Sequence, residues 1–457
     1  MPGPRSLRAG GEPPMRLLHT SDWHLGRTVR QRSRDDDFDA VLAEITEIAR
    51  EKQPDLIVHS GDLFDSYRPA APDLYRCLRV LRDLAGVAPV VVVAGNHDSP
   101  ALLEALDFAV SAFGPPPGPD GTRRLRFVAR PLLPRDGGIL EYPGRGGQRI
   151  RLAALPFMHQ NRFLDEFAGP ASATRGYAAQ MRELQAEFQR GLLDGCDRDR
   201  DVLIFAAHLY VEGAVPSYTE RPVDISDTFL TEADALPQVS YAALGHIHRP
   251  QPVGRAGMTA RYAGSPLQLD FGEAGEYKSV VVVDADPGRP VRVELVPLTA
   301  GRRLADFTGT LDELRAAAAV IGDCYVRAVI VSDDPVPDLA AAARAAAPQA
   351  TLVSIEPRCA ASQVAVAEQS GAEDREPDLP DLFREYLADQ PPRGAVAEDI
   401  LTTFDSLLAD AASEFPRPFE EETRLREVLA GDPGPSPAGD GLVPSGQAPQ
   451  TASGRSA

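Results

Sequence analysis

Five short runs rich in Val, Ile and Leu, separated by stretches of helical periodicity, constrain the fold of this chain most. The runs are MRLLHTS (15–21), DLIVHS (55–60), PVVVVA (89–94), DVLIFAA (201–207) and SYAAL (240–244). Continuous apolar character of this kind suits strands covered on both faces. Between the first two runs, Phe38, Val41, Leu42, Ile45 and Ile48 form a stripe at helical spacing; Leu74, Cys77, Leu78, Leu81 and Leu84 repeat it before the third. Strand–helix–strand alternation predicts a layered α/β fold.

The polar residues that call for explanation stand at the carboxyl ends of the same runs. Asp22-Trp23-His24 follows the first, Gly61-Asp62 the second and Gly95-Asn96-His97-Asp98 the third; His208 follows the fourth and Gly245-His246-Ile247-His248 the fifth. Ligands of α/β sheets bind beyond the carboxyl edge, so the five clusters can share one crevice. Five of the chain's eight histidines lie in them. Carboxylate, imidazole and amide oxygen together suit divalent ions bound by mixed O/N donors. Asp-x-His or His-x-His in extended chain projects both side chains to one side, so one strand end can serve two adjacent ions. Any one such pair is common in loops; five at successive strand ends are not. His19 and His59 fall inside strands and read as core or supporting residues, and His159 as structural.

Four scattered cysteines (Cys77, Cys196, Cys324, Cys359) form no CxxC pair, which opposes a disulfide framework or a cysteine zinc site and fits a reducing cytoplasm. No apolar stretch is long enough to span a membrane. Residues 1–14 have no apolar segment behind their arginines; they read as a disordered leader, with Met15 an alternative initiator. The net charge of −20 opposes nucleic-acid binding when taken alone. Residues 361–432 carry roughly −12 of it, however, and carboxylates around a metal pair are partly offset by the ions.

The chain divides into a main domain (15–300), a small α+β unit (301–360), a polar acidic linker (361–378) and two short amphipathic helices (379–411). A largely disordered Pro/Gly-rich tail (412–457) follows. The helices carry Leu382, Phe383, Leu387, Leu401, Phe404 and Leu408, apolar residues suited to a helix-in-groove partner site. Arg27, Arg30, Arg68 and Arg249 lie near the clusters and are candidates for phosphate contact.

The order D-x-H, G-D, G-N-H-D, H and G-H-x-H resembles the calcineurin-like metallophosphoesterase signature. HTSDWHLG (19–26), SGDLFD (60–65), AGNHDSP (94–100), ALGHIHRPQ (243–251) and YAGSPLQLDFGE (262–273) narrow the resemblance to the SbcD family of bacterial nuclease subunits, over about residues 15–411. The resemblance implies a layered β-sandwich flanked by helices, with a capping α+β domain and a C-terminal helix pair. It implies two ions, manganese, one held by Asp22, His24 and His248 and the other by Asn96, His208 and His246, with Asp62 shared. His97 would act on the leaving oxygen, with Asp98 to orient it. Asp65 stands where archaeal and eukaryotic relatives usually carry a second histidine, which points to the bacterial branch.

Implied partners are double-stranded DNA and an SbcC-like coiled-coil ATPase docked on the helix pair, with a homodimer inside a heterotetramer. Implied too are exonuclease and hairpin-directed endonuclease action in DNA repair, recombination and replication, in the cytoplasm at the nucleoid. Two rivals stand beside this reading. A phosphatase, cyclic-nucleotide phosphodiesterase or nucleotide pyrophosphatase could use the same metal site, since function belongs to the site and not the fold. A non-catalytic scaffold is opposed by the complete ligand set together with His97.

Overall fold

The computed structural model describes residues 13–114, 117, 121–158, 177–217, 220, 229–254 and 257–359, together with 383, 401 and 404. Four strands, β1 (Met15–Thr20), β2 (Leu56–His59), β3 (Val90–Val93) and β4 (Leu125–Val128), pair in parallel. They are crossed by α1 (Asp35–Lys52), α2 (Ala71–Val87) and α3 (Pro100–Phe113). A second sheet holds β5 (Ile139–Pro143), β6 (Arg149–Leu155), β7 (Asp201–His208), β10 (Tyr241–Gly245), β11 (Gln251–Val253) and β12 (Ala260–Tyr262), with α4 (Tyr177–Leu193) outside it. The chain then returns to the first sheet, where β13 (Ser279–Ala285) runs antiparallel to β1 and carries β14 (Arg292–Pro297) at the edge. The remaining pair, β8 (Tyr210–Val211) and β9 (Leu230–Thr231), is short and parallel.

Alternation along the strands assigns the layers. Leu17, Val58, Val91 and Val93 of the first sheet share a buried cluster with Ile150, Leu152, Ile204 and Ala243 of the second, so these faces form the sandwich interior. Their neighbours Leu18, Ile57, Val90 and Val92 face α1 and α2, and Phe205 and Ala207 face α4. A side-chain period of two therefore makes each central strand apolar throughout, because both of its faces are covered. The α1 stripe expected from sequence is buried at Phe38, Val41, Leu42, Ile45 and Ile48. Its first turn carries Asp35, Asp36 and Asp37, and its last turn Arg50 and Lys52, in the sense that the helix dipole favours.

Beyond β14, β15 (Leu304–Gly309), β16 (Tyr325–Ser332) and β17 (Thr351–Cys359) form a parallel sheet with α5 (Leu311–Ile321) and α6 (Leu339–Ala346). This module has its own apolar core around Leu314, Val326, Ala328 and Ile330. A polar joint ties it to α1. Buried Asp37 accepts from Arg34 Nε (3.0 Å) and from the backbone N and Nε of Arg302 (3.0 Å each). The Arg302 guanidinium also lies 4.3 Å from the centre of the Tyr325 ring.

Residues Met1–Ala367 and Glu368–Ala457 are two separate compact units. In the second, Phe383, Leu401 and Phe404 are helical and half-buried, and the two phenylalanine rings stack at 4.0 Å between centroids. Leu382, Leu387 and Leu408, like His159 and the stretches 1–12, 361–378 and 412–457, lie outside the described residues.

Candidate metal centre

β1, β2 and β3 of one sheet and β7 and β10 of the other end at the same mouth of the sandwich, and all five polar clusters meet there. Three groups of donors lie with their ligand atoms within 4.8 Å of one another: Asp22, His24 and His248; His24, Asp62 and His97; Asp22, Asp62 and His208. All these residues are buried. The backbone pays for this convergence. Of the eight described non-glycine residues with positive φ, four are candidate ligands: Asp22 (51°), His24 (48°), Asp62 (56°) and His246 (106°). Such conformations cost on the order of 1–3 kcal/mol each and collect at functional sites. Two glycines allow the close approach. A Cβ on Gly61 would fall on the His208 imidazole, and one on Gly95 on the Asp62 carboxylate.

The hydrogen bonds fix most of the imidazoles. His208 Nδ1–H donates to the Ser60 carbonyl (2.9 Å), so a neutral ring turns its Nε2 lone pair toward Asn96 Oδ1 at 2.8 Å and Asp62 Oδ2 at 3.5 Å. Asn96 Oδ1 also lies 3.1 Å from His246 Nδ1. His248 Nδ1–H donates to Glu273 Oε1 (3.0 Å), which turns its Nε2 toward His24 Nε2 at 3.1 Å. With Nδ1 of His208 and of His248 committed to those acceptors, Nε2 is the ring atom each can offer to a cation, and it faces the Asn96 amide oxygen in one place and the His24 ring in the other. Carboxylate oxygens and imidazole nitrogens converge here with their donor atoms within 4.8 Å in each group, so the residues present fit divalent ions.

Burial, with Asp62 close by, raises the Asp22 carboxyl toward 6, a cost that a divalent cation relieves. Burial also pushes Asp62 upward, but His208 and His97 outweigh it and hold Asp62 well below the usual carboxylate range. Burial lowers His24 to about 4, which keeps this imidazole neutral, the form that a metal requires. For His208, burial acts downward but Asp62 outweighs it and lifts the ring to about 9, so a cation at Nε2 takes the place of a proton there.

His97 shares its donor group with His24 and Asp62, yet its Nδ1–H donates to the Asp65 carbonyl (2.9 Å) and its backbone N–H to Asp62 Oδ1 (2.8 Å). A backbone carbonyl thus holds His97 Nδ1. Asp98 instead accepts from the backbone amides of Gly95 (2.9 Å), Leu63 (3.2 Å) and Phe64 (3.2 Å), and so fastens the second and third strand ends together. His19 and His59 are buried supports. His19 bridges Tyr241 (3.0 Å) and Ser60 (2.8 Å), and His59 packs edge-on to Trp23.

Comparisons with known proteins decide among the enzymes that such a centre could serve. Residues 15–250 match the calcineurin-like phosphoesterase model. The SbcD component of the SbcCD nuclease of Bacillus subtilis strain 168 is 35% identical over 301 residues, 64% of this chain and 72% of that protein. Its counterpart in Escherichia coli strain K12 is 33% identical over 319 residues, 66% of this chain and 73% of that protein. The chain belongs to the calcineurin-like phosphoesterases, in the SbcD family. Among solved structures, a dimetal phosphatase from Danio rerio superposes with a TM-score of 0.38 at 12% identity, over 63% of this chain and 99% of its own.

In this SbcD-family chain the four arginines divide. Arg27 pairs with Asp65 (3.4 Å) and Arg249 with Glu276 (2.8 Å), whereas the side chains of Arg30 and Arg68 are exposed. Sequence reasoning passed over Glu273, Glu220 and Lys278. Glu220 Oε1 accepts from the His248 backbone (3.0 Å), and Lys278 Nζ donates to Glu273 and to the His248 carbonyl. The only trace in the sequence was that the motif at 262–273 ends on Glu273; nothing in its spacing links it to His248.

Proposed function

We propose that the chain is the nuclease component of an SbcCD-type complex, a hydrolase that cleaves phosphodiester bonds of double-stranded DNA. The observation that carries this reading is the convergence of Asp22, His24, Asp62, His208 and His248 with His97, and of Asn96 with His208 and His246, at one sandwich mouth, in a chain 35% identical to an SbcCD nuclease component over 301 residues. Asp22, His24 and His248 would hold one ion and Asn96, His208 and His246 the other, with Asp62 shared; manganese is the proposed metal. Bound there, the pair supplies Lewis acidity to the phosphate and to the attacking water.

The protein's own groups do the rest. The Asp65 carbonyl fixes the His97 tautomer, so Nε2 is the ring atom that meets the leaving oxygen and, as imidazolium, passes it a proton. Buried walls around the donors exclude bulk water and strengthen each electrostatic contact. Exposed Arg30 and Arg68 are proposed to meet DNA phosphates.

The helix pair containing Phe383, Leu401 and Phe404, with Leu382, Leu387 and Leu408, is the proposed dock for an SbcC-like ATPase. A homodimer inside a heterotetramer is supported by α3, whose Phe108 and Phe113 are 69% and 84% exposed. Among the described residues no helix is long and apolar enough to cross a membrane. Action in the cytoplasm at the nucleoid, in repair, recombination and replication, by exonuclease and hairpin-directed cleavage, completes the proposal.

The test compares end-labelled linear duplex DNA with a small chromogenic phosphodiester, using the full chain, an SbcC-like ATPase, manganese and ATP. Release of nucleotides supports the reading. Turnover of the small diester with intact DNA would keep the metal centre and remove DNA as substrate.

A further inference from the structure

We infer that Glu273, anchored by Lys278, is a positioning residue that sets the plane and tautomer of His248, and through it the affinity of one of the two metal sites. This rests on the reading of His248 as a ligand. Glu273 is fully buried, and its two carboxylate oxygens face different partners. Oε1 accepts from His248 Nδ1 (3.0 Å), while Oε2 takes Lys278 Nζ (2.6 Å) and the Leu269 backbone N–H (3.1 Å). The Lys278 ammonium also reaches Glu276 Oε2 (3.1 Å) and the His248 carbonyl (3.0 Å). One lysine therefore holds both the carboxylate and the backbone of the histidine that the carboxylate orients.

His248 differs here from two other histidines of the centre. His208 and His97 donate Nδ1–H to backbone carbonyls, of Ser60 and Asp65. A backbone carbonyl is fixed by the fold and survives any side-chain change; the partner of His248 is a side chain and can be removed. Hydrogen-bonded partners of ligand histidines typically govern about 10–100-fold in metal affinity.

Glutamine at position 273 fails in either orientation. With its NH2 toward Lys278 and the Leu269 N–H, donor meets donor. Turned around, it donates to His248 Nδ1, and the ring proton moves to Nε2, the atom that faces His24.

The experiment is a calorimetric titration of the full chain with Mn2+ alone, for the wild type, Glu273→Gln, Glu273→Gln/Lys278→Met and His248→Ala. The double variant buries no unpaired ammonium at position 278 and guards against simple unfolding of the single one. The expected result is one site weakened about 10–100-fold in both Glu273 variants and the other unchanged. Wild-type affinity at both sites, or equal loss at both, overturns the positioning role while the metal centre stands. Two wild-type sites in His248→Ala would instead overturn the metal-centre reading itself.

Discussion

Replacing Asp37 by asparagine tests how the α+β module is held to the phosphoesterase sandwich. Asp37 is 4% exposed and pairs with Arg34, whose side chain is fully buried, and with Arg302, which is 30% exposed. Removing one partner of a buried ion pair costs about 3–5 kcal/mol, because the other charge is left uncompensated. Arg34 keeps two backbone acceptors, the carbonyls of Gln268 and Arg302, which places its share at the low end. The Arg302 share is screened by solvent and adds about 1 kcal/mol at most. The sum is about 3–4 kcal/mol, a fall in Tm of roughly 6–8 °C for a unit of this size.

The effect also has a pH signature. Burial raises the Asp37 carboxyl, but its hydrogen bonds from Arg302 and the charge of Arg34 outweigh burial and hold it below its ordinary value. A depressed carboxylate stabilises fully above its unfolded pKa of about 3.9, and that contribution disappears as pH falls through the folded value. Scanning calorimetry of wild type and Asp37→Asn at neutral pH and again near about pH 3.5 reads both effects. The gap should be widest at neutral pH and shrink in acid. A neutral-pH gap below roughly 1 °C, or one that widens in acid, refutes the reasoning.

Other substitutions probe the centre and the surface. His97→Asn should lower kcat for DNA cleavage by about 10²–10⁴ and leave Mn2+ stoichiometry intact, as steady-state rates and metal titration would show. Gly95→Ala places a methyl against the Asp62 carboxylate; because Asp62 is the proposed shared donor, calorimetry should show both metal sites weakened together. Phe108→Glu with Phe113→Glu should convert a dimer to a monomer by light scattering, with hydrolysis of a small diester retained.

Much of this was legible because each central strand is covered on both faces, which wrote the five apolar runs plainly. The proposed ligands follow those runs within a few residues, so finding the strands located the cluster. Edge and half-covered strands were harder to read. β14 holds only exposed and half-buried residues, and β5 ends on Pro143 beside a glycine-rich turn, so neither stands out from a loop. That the runs divide between two sheets could not be read from periodicity, since Leu17 and Ile204 look alike until the fold packs them into one core between the sheets. Glu273 was invisible as a support because its partner lies 25 residues away and their contact is made by folding. The hydrogen bond from His97 to Asp65 was hidden for a different reason: its acceptor is a backbone carbonyl, which no residue type announces.

Asp62 touches both halves of the proposed metal pair, with Oδ2 at 3.4 Å from His24 and 3.5 Å from His208, so its loss tests the central claim most directly. The measurement is nucleotide release from linear duplex DNA by wild type and Asp62→Ala, each with an SbcC-like ATPase, manganese and ATP. The account predicts release by the wild type and none above background for the variant. Release by Asp62→Ala at a rate near wild type would contradict it.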